Sequence, residues 1–302
     1  MTDAPALPET EPTIPDFIGQ LQTNLLQDPE AIYWVSVDLR TAMRSVGYRH
    51  TEAEDFCDDF LLGVLKVLGD KATVIVPTFS MSFPGSQVFD VRTTEVMSGA
   101  FGALLVKRYP EKRLLHPFYS FVAFGARADE FLSQRFEHST GEGSVFEWIT
   151  QNDVELISIG HHFIKSLTGV HHAEEEAGVS YRYRKTFSGR VVGVNEERDG
   201  DYSFFVRELG TCDFSSMTLE GERQFQASGL VQSCLAGTEK RPVMAQGVNL
   251  KAAHLEMVKD LQSETPIIVD YFGPERYRPN VVTARGADRL YADQLKALRS
   301  GQ

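Results

Sequence analysis

Cysteine is scarce: the 302-residue chain has three, Cys57, Cys212 and Cys234, an odd number at wide spacing. Neither a disulfide framework nor a CxxC metal site follows from them, and each is expected to pack as a small apolar side chain. Long apolar runs are missing as well. The longest, such as Ala72–Pro77, fall far short of the roughly 20 residues a bilayer-spanning helix needs, so no membrane partner is expected. Met1–Pro15 is acidic and rich in proline, without the basic start and apolar stretch of a secretory leader. It reads as a disordered tail ahead of a single domain over 16–302, in a soluble cytoplasmic protein. Positive charge is in deficit, with 30 Lys and Arg against 42 Asp and Glu and a net charge of −12. Phosphate backbones are held by concentrated positive charge, so nucleic acid is not an expected partner. Several catalytic signatures are absent too. There is no HExxH zinc motif and no GxSxG elbow, and Gly141–Ser144 (GEGS) is too short for a phosphate-binding loop.

What the chain does hold is apolar content, 42% of residues, enough to bury a sizeable core. Phe17, Ile18, Leu21, Leu25 and Leu26 recur at helical spacing, with Asp16 placed to cap. Ala31–Leu39 alternates and is rich in Ile, Tyr, Trp and Val, which predicts a strand. Thr51 and Glu54 have the spacing of a capping box at the start of a second helix. Ala72–Val76, closed by Pro77, has the pattern of a strand buried on both faces. Helices from about Thr94 to Arg108, from about Ala126 and over Ser144–Gln151 then alternate with strands at Phe118–Phe124 and Val154–Ile159. That alternation predicts an α/β fold, a central mixed sheet flanked by helices. In the C-terminal half Tyr181–Val192 and Tyr202–Glu208 read as a hairpin through Asn195–Asp201, an antiparallel addition. An Asn249-capped helix and a last strand, Ile267–Phe272, follow.

Reactive side chains are densest in Gly160–Gly178, GHHFIKSLTGVHHAEEEAG, just beyond a predicted buried strand. Ligand sites of α/β sheets gather at such strand ends. On a helix Thr168, His171 and Glu174 share one stripe, which sets an imidazole beside a carboxylate that can fix its tautomer. A solvated polar face gives the same spacing, and a metal site built from His161, His162, His171, His172 and the glutamates is a third reading. Spacing alone leaves all three open. A second cluster, Leu115–Gly125, puts His116 before a proline with Ser120 four residues on. Without a nucleophile elbow, a structural histidine and a hydrogen-bonding serine fit that pair better than a hydrolase does.

In order along the chain stand VPTFSMSF (Val76–Phe83), FDVRTTEVMSGAFGALL (Phe89–Leu105), LHPFYSFVAFG, GEGSVFEW (Gly141–Trp148), DVELISIG and LTGVHHAEEEAGVSYRYRK (Leu167–Lys185). Together these blocks resemble the aminoglycoside 3-N-acetyltransferase family, coenzyme A-dependent antibiotic N-acetyltransferases. The resemblance implies an acyl-CoA-dependent N-acyltransferase acting by direct transfer, with His171 as general base, Glu174 as its supporting carboxylate and Thr168 nearby. It implies coenzyme A or acetyl-CoA as co-substrate and no metal. The pantetheine arm would run near Asp38, Thr78, Phe79 and Ser80, and His116 and Ser120 would stand in the cleft wall, Ser120 towards the cofactor and His116, with Glu175, towards the acceptor. The acceptor would be an amine of an aminoglycoside, an amino sugar or another small molecule. Many members carry His-Ser-Ser after the first core strand, where this chain reads Ser36, Val37 and Asp38. That departure bears on acceptor and donor alike, and it keeps an acyl carrier protein, or a thioesterase reaction, as the alternative.

Overall fold

The computed structural model describes residues 7–300. Met1–Ala6, the first part of the expected tail, lie outside the described residues. Beyond them Pro8 accepts a hydrogen bond from the Glu239 amide and Glu11 pairs with Arg241.

The first helix, α1 (Ile14–Gln22), starts three residues earlier than expected, because Thr13 is the cap and Asp16 closes its capping box from the third position. Strand β1 (Ile32–Val37) follows and is buried throughout. Its alternation serves two cores. Ile32 and Trp34 face one apolar cluster, and Tyr33, Val35 and Val37 face the other. A short helix not expected from the sequence, α2 (Leu39–Ser45), is capped by Asp38, whose Oδ1 accepts the Thr41 amide at 2.9 Å. The expected box at Thr51 and Glu54 is displaced. Arg49 and Glu52 form it, a short turn intervenes, and α3 runs Ala53–Leu68 with Glu54 paired to Lys107 instead.

Strand β2 (Thr73–Pro77) is followed by α4 (Phe83–Ser86), β3 (Val88–Asp90) and α5 (Ala100–Arg108). The helix thus begins six residues after Thr94. Then come β4 (Phe121–Gly125), α6 (Ala128–Leu132), α7 (Val145–Gln151) and β5 (Glu155–Ile159). Helix α8 (Val170–Ala177) leads into a long hairpin, β6 (Arg182–Val192) and β7 (Glu197–Arg207). Its turn is tighter than expected: the Gly193 amide already bonds the Glu196 carbonyl at 2.7 Å. The remainder comprises β8 (Phe214–Met217), α9 (Leu219–Ala227), β9 (Val231–Gly237), β10 (Pro242–Asn249), α10 (Leu250–Leu261), β11 (Val269–Phe272) and α11 (Ala284–Ser300). Of these, α10, with its Asn249 cap, and β11 were expected. No helix among the described residues is long and apolar enough to cross a membrane.

Six strands form the central sheet in the order β4-β2-β1-β5-β10-β9. β1 is parallel to both β2 and β5, whereas β4 and β10 join antiparallel, so the sheet is mixed. The hairpin carries β3 in a three-stranded sheet of its own. Aromatic rings fill the space between the two sheets. Phe121 lies edge-on to Trp34 at 5.0 Å, and Phe118 packs against Phe204 of the hairpin at 4.7 Å. Such pairs add stability beyond the area they bury.

Helix α5 is set against the end of β2 by an absent side chain. A Cβ on Gly102 would stand 2.4 Å from the Pro77 carbonyl oxygen, a backbone atom that cannot swing aside. Helix propensity by itself favours Ala over Gly by up to about 1 kcal/mol. Overpacking works the other way and costs about 1–3 kcal/mol. Gly102→Ala is therefore expected to destabilise the fold, seen as a lower urea midpoint; a raised midpoint would show that the helix is free to shift.

Candidate active site

Strand β5 delivers the chain to the C-terminal edge of the sheet, where Gly160 turns it at φ 80°. A Cβ there would press on Asp38 and Thr41 at 3.0–3.1 Å, so the turn needs glycine. The chain then makes one short turn, Phe163–Ser166, and enters α8, which Gly178 ends in a left-handed conformation. Only two of the three residues expected on one helical stripe are helical. Thr168 lies ahead of the first turn, with Gly169 at the cap, and its carbonyl accepts the His171 amide at 3.1 Å.

His171 and Glu174, three apart, face the hairpin. Nδ1 of His171 stands 2.7 Å from Oε2 of Glu174. A carboxylate can only accept, so Nδ1 carries the proton and Nε2 keeps its lone pair. The Glu174 side chain is fully buried, whereas His171 is 22% exposed. Tyr181 donates its hydroxyl to Glu174 at 3.0 Å, and Nε of Arg182 lies 2.8 Å from the same Oε2 that meets His171. Arg182 is itself buried, held by the Phe205 carbonyl at 3.1 Å and the Ser215 hydroxyl at 2.8 Å. Burial alone would raise the pKa of Glu174, but His171 and Arg182 outweigh it and hold the carboxyl below its usual range. Burial, reinforced by the Arg182 charge, lowers the His171 imidazole below its ordinary 6.5 against the upward pull of Glu174. The site thus rests with a neutral imidazole, an ionised carboxylate and a guanidinium.

One turn around α8 the surroundings differ. Glu175 pairs with Arg184 at 2.8 Å and accepts the Thr140 hydroxyl. His172 is buried, stacks on His254 of α10 at 4.5 Å and accepts the Gly141 amide on Nδ1 at 3.0 Å. His172, Glu175, Arg184 and His254, with Glu147, Glu176 and Lys251, line a cleft of about 760 Å³ that His171 does not enter. Donor atoms of His172, Glu176 and His254 come within 4.8 Å of one another, a spacing that could hold a metal ion. The hydrogen bonds run against that use. With Nδ1 of His172 accepting an amide, its proton sits on Nε2, and Nε2 of His254 is 2.8 Å from Glu176. A cation would have to displace both arrangements. The wider set considered from the sequence is scattered: His161 bonds Ser166 at 2.8 Å, His162 is buried beside Glu222, and His171 faces the other way.

The remaining expected contacts sit deeper than a ligand would. Thr78, Ser80, His116 and Ser120 are all buried, and Phe79 packs its ring on Trp34, Tyr119 and Phe121. The Thr78 hydroxyl donates to Ser120 at 3.2 Å, and Ser120 donates to the Leu114 carbonyl at 2.8 Å. Nδ1 of His116 accepts the Phe118 and Tyr119 amides, and burial takes its pKa down to about 3. These are the bonds of a core, although Nε2 of His116 is buried with no hydrogen-bond partner among the described residues. Asp38, half-buried at the end of β1, stands at the surface beside the His161–Ser166–Ser36 chain of hydrogen bonds. That cluster received no role from the sequence, and neither did Tyr181 and Arg182. One signal for Arg182 was there: adjacent acids at 174 and 175 face an alternating pair of arginines, 182 and 184, on one side of a strand.

Comparison with known proteins agrees with this architecture. The sequence model of a family described as aminoglycoside 3-N-acetyltransferase matches residues 39–244. Among solved structures, sisomicin-bound AAC-VIa aligns with a TM-score of 0.63 at 16% identity, over 84% of this chain and 98% of its own. AAC-IIIb in binary complex with CoASH gives 0.63 at 19%, over 83% and 96%. The YokD protein from Bacillus subtilis gives 0.60 at 18%, over 82% and 98%. At such identities the likeness speaks for the fold. No curated protein sequence matches the chain.

All three cysteines are buried and free, as expected. Burial pushes the Cys57 and Cys234 thiols up to about 12 and raises Cys212 as well. Since the thiolate is the reactive form, the native protein should label negligibly with a chromogenic disulfide reagent at pH 8 and release three equivalents in guanidinium. Rapid labelling of one thiol in the folded state would reopen covalent acyl transfer.

Proposed function

The chain belongs to the aminoglycoside 3-N-acetyltransferase family, and from that premise we propose that it moves an acyl group, acetyl in the first instance, from coenzyme A to an amine of a small-molecule acceptor, with His171 as general base. One observation carries the reading. Inside the matched segment a histidine is held on Nδ1 by a buried carboxylate, which leaves the lone pair to Nε2, and its side chain is partly exposed.

The acyl thioester of coenzyme A supplies a carbonyl that an amine can attack. An alkylammonium has no lone pair to attack with, so it first loses one proton to solvent. The free amine then adds to the thioester carbonyl and sheds a second proton as the C–N bond forms. The C–S bond breaks as coenzyme A leaves as its thiol, taking back the proton the base has held. Nε2 of His171 accepts that second proton. The imidazolium produced is stabilised at once by Glu174, whose Oε2 already holds the Nδ1 proton, so no reorganisation is needed at the moment of transfer. The Thr168 hydroxyl, half-buried and without a side-chain partner among the described residues, is proposed as a donor to the developing oxyanion. Coenzyme A is proposed to lie along the strand ends near Asp38. Aminoglycosides, bound by the relative solved with sisomicin, are the first acceptors to try; the acidic surface favours any polycationic amine.

Thiol release from acetyl-CoA in the presence of an aminoglycoside tests the reaction, and release without any amine would point to a thioesterase instead. His171→Ala should lower kcat by about 10²–10⁴-fold, the usual worth of a positioned base, with a much smaller change in acetyl-CoA affinity. Transfer at close to the wild-type rate would remove His171 from the reaction. The pH profile carries a sign. A base works when deprotonated, so the rate holds above its pKa and falls below it. With the imidazole lowered, the acidic limb of kcat/KM should lie below 6.5, and a limb above that value would count against the assignment.

A further inference from the structure

A histidine hydrogen-bonded to a carboxylate alone becomes a stronger base, since the negative charge favours the imidazolium. At neutral pH such a pair would spend much of its time protonated and unable to accept a proton. This site has a third member. Arg182 enters from the first residue of β6 and shares Oε2 of Glu174 with His171. With Arg182 present, the carboxylate is already neutralised before the imidazole is charged. Protonating His171 then leaves the buried cluster with a net charge of +1 instead of zero. Arg182 has no freedom to withdraw, because the Phe205 carbonyl and the Ser215 hydroxyl fix its guanidinium.

We propose that Arg182 is a positioning residue that keeps His171 neutral at working pH, by offsetting part of the carboxylate charge that stabilises the imidazolium. The proposal rests on His171 being the base, although its electrostatic part can be tested without turnover. The charged and titratable groups around His171 are few. Glu174 comes from its own helix, Tyr181 and Arg182 from the entry to β6, Arg207 from the end of β7, and the Cys212 thiol lies beyond them. Of these, Arg182 is the cation in contact with the carboxylate His171 uses. The assignment also explains why Glu174 is fully buried: a carboxylate open to water would be screened and would couple weakly to both neighbours.

The test is the His171 pKa, read by NMR from its ring protons in the free protein, alongside the acidic limb of kcat/KM. In Arg182→Met both should move upward by about one unit or more, the size of shift a contacting charge produces. Arg182→Lys, which keeps the charge, should leave both near the wild-type values even where activity drops. A residue with a merely structural role would lower activity in both variants and move neither. Arg182→Met leaves a buried carboxylate unpaired and could fail to fold, so a second comparison avoids it. In Glu174→Gln the guanidinium acts unopposed and the His171 pKa should fall below wild type; in Glu174→Gln/Arg182→Met, which buries no lone ion, it should recover. Equal His171 pKa values in those two variants would overturn the proposal. If instead the NMR shifts appear but the pH–rate limb ignores them, Arg182 tunes His171 as stated and His171 is not the base.

Discussion

The carboxylate of Glu174 is a charge with no water to solvate it, and much of the surrounding structure can be read as the answer to that problem. An ionised carboxylate in a protein interior is tolerated only when its oxygens are fully engaged. Three groups meet them: His171 from the same helix and the Tyr181 hydroxyl by hydrogen bonds, and the Arg182 guanidinium as an ion-pair partner. Each group is anchored in turn. Tyr181 stacks on Tyr271 of β11 at 4.0 Å, and Arg182 is tied to β7 and β8. Removing one partner of such a buried pair costs about 3–5 kcal/mol, because the other charge is left stranded. The hairpin, the β8–β11 ribbon and α8 are thereby locked to one another through a single side chain.

The sheet does the coarser positioning. β1 and β5 are parallel neighbours, so both end at the same edge, and the chain leaving β5 must turn there before α8 begins. The glycine at 160 and the short turn after it set the helix over that edge. The hairpin closes over the other side through a dense set of rings, with Phe118 packed on both Phe187 and Phe204. Such aromatic packing resists compression and transmits any displacement. That is why His116, Ser120 and Thr78, which belong to blocks that stand out in the sequence, contribute from the core. Their bonds fix the wall behind the site: the Thr78 and Ser120 hydroxyls and Nδ1 of His116 are engaged within the protein, and Nε2 of His116 is buried without a partner among the described residues.

Legibility in the sequence followed the length and regularity of the local signal. β1, β2, α7, β5, the hairpin and α10 were readable because each has a clean period or a cap in front of an apolar run. α2 was not, being seven residues long and defined by an Asp38 cap that a strand-end aspartate does not announce. Between Thr211 and Asn249 three strands and a helix follow one another in short segments, and β10 is buried along its length without alternation, which leaves no window long enough to show a period. The pairing of His171 with Glu174 was legible because both lie on one helix, where spacing fixes geometry. Arg182 was not assigned, since its contact crosses from a helix to a strand and depends on the angle at which the hairpin returns.

His171 and His172 show how little residue type decides. They are adjacent, share a helix and differ only by the rotation of one residue. His171 points to a carboxylate flanked by a guanidinium and keeps a free, partly exposed nitrogen. His172 accepts a backbone amide, stacks on a second imidazole and is pushed by burial to a pKa of about 3, which leaves it neutral and without a proton-transfer partner. Both imidazoles rest uncharged near neutrality, each first of all because it is buried, but with opposite consequences. In His172, charging is prohibitive because no counter-ion is in contact. In the other, burial and the Arg182 charge together refuse the proton at rest, yet the counter-ion in contact allows it to be held for the duration of a reaction. A general base needs that second condition: a charge state close enough in free energy to be reached, and a partner placed to receive it.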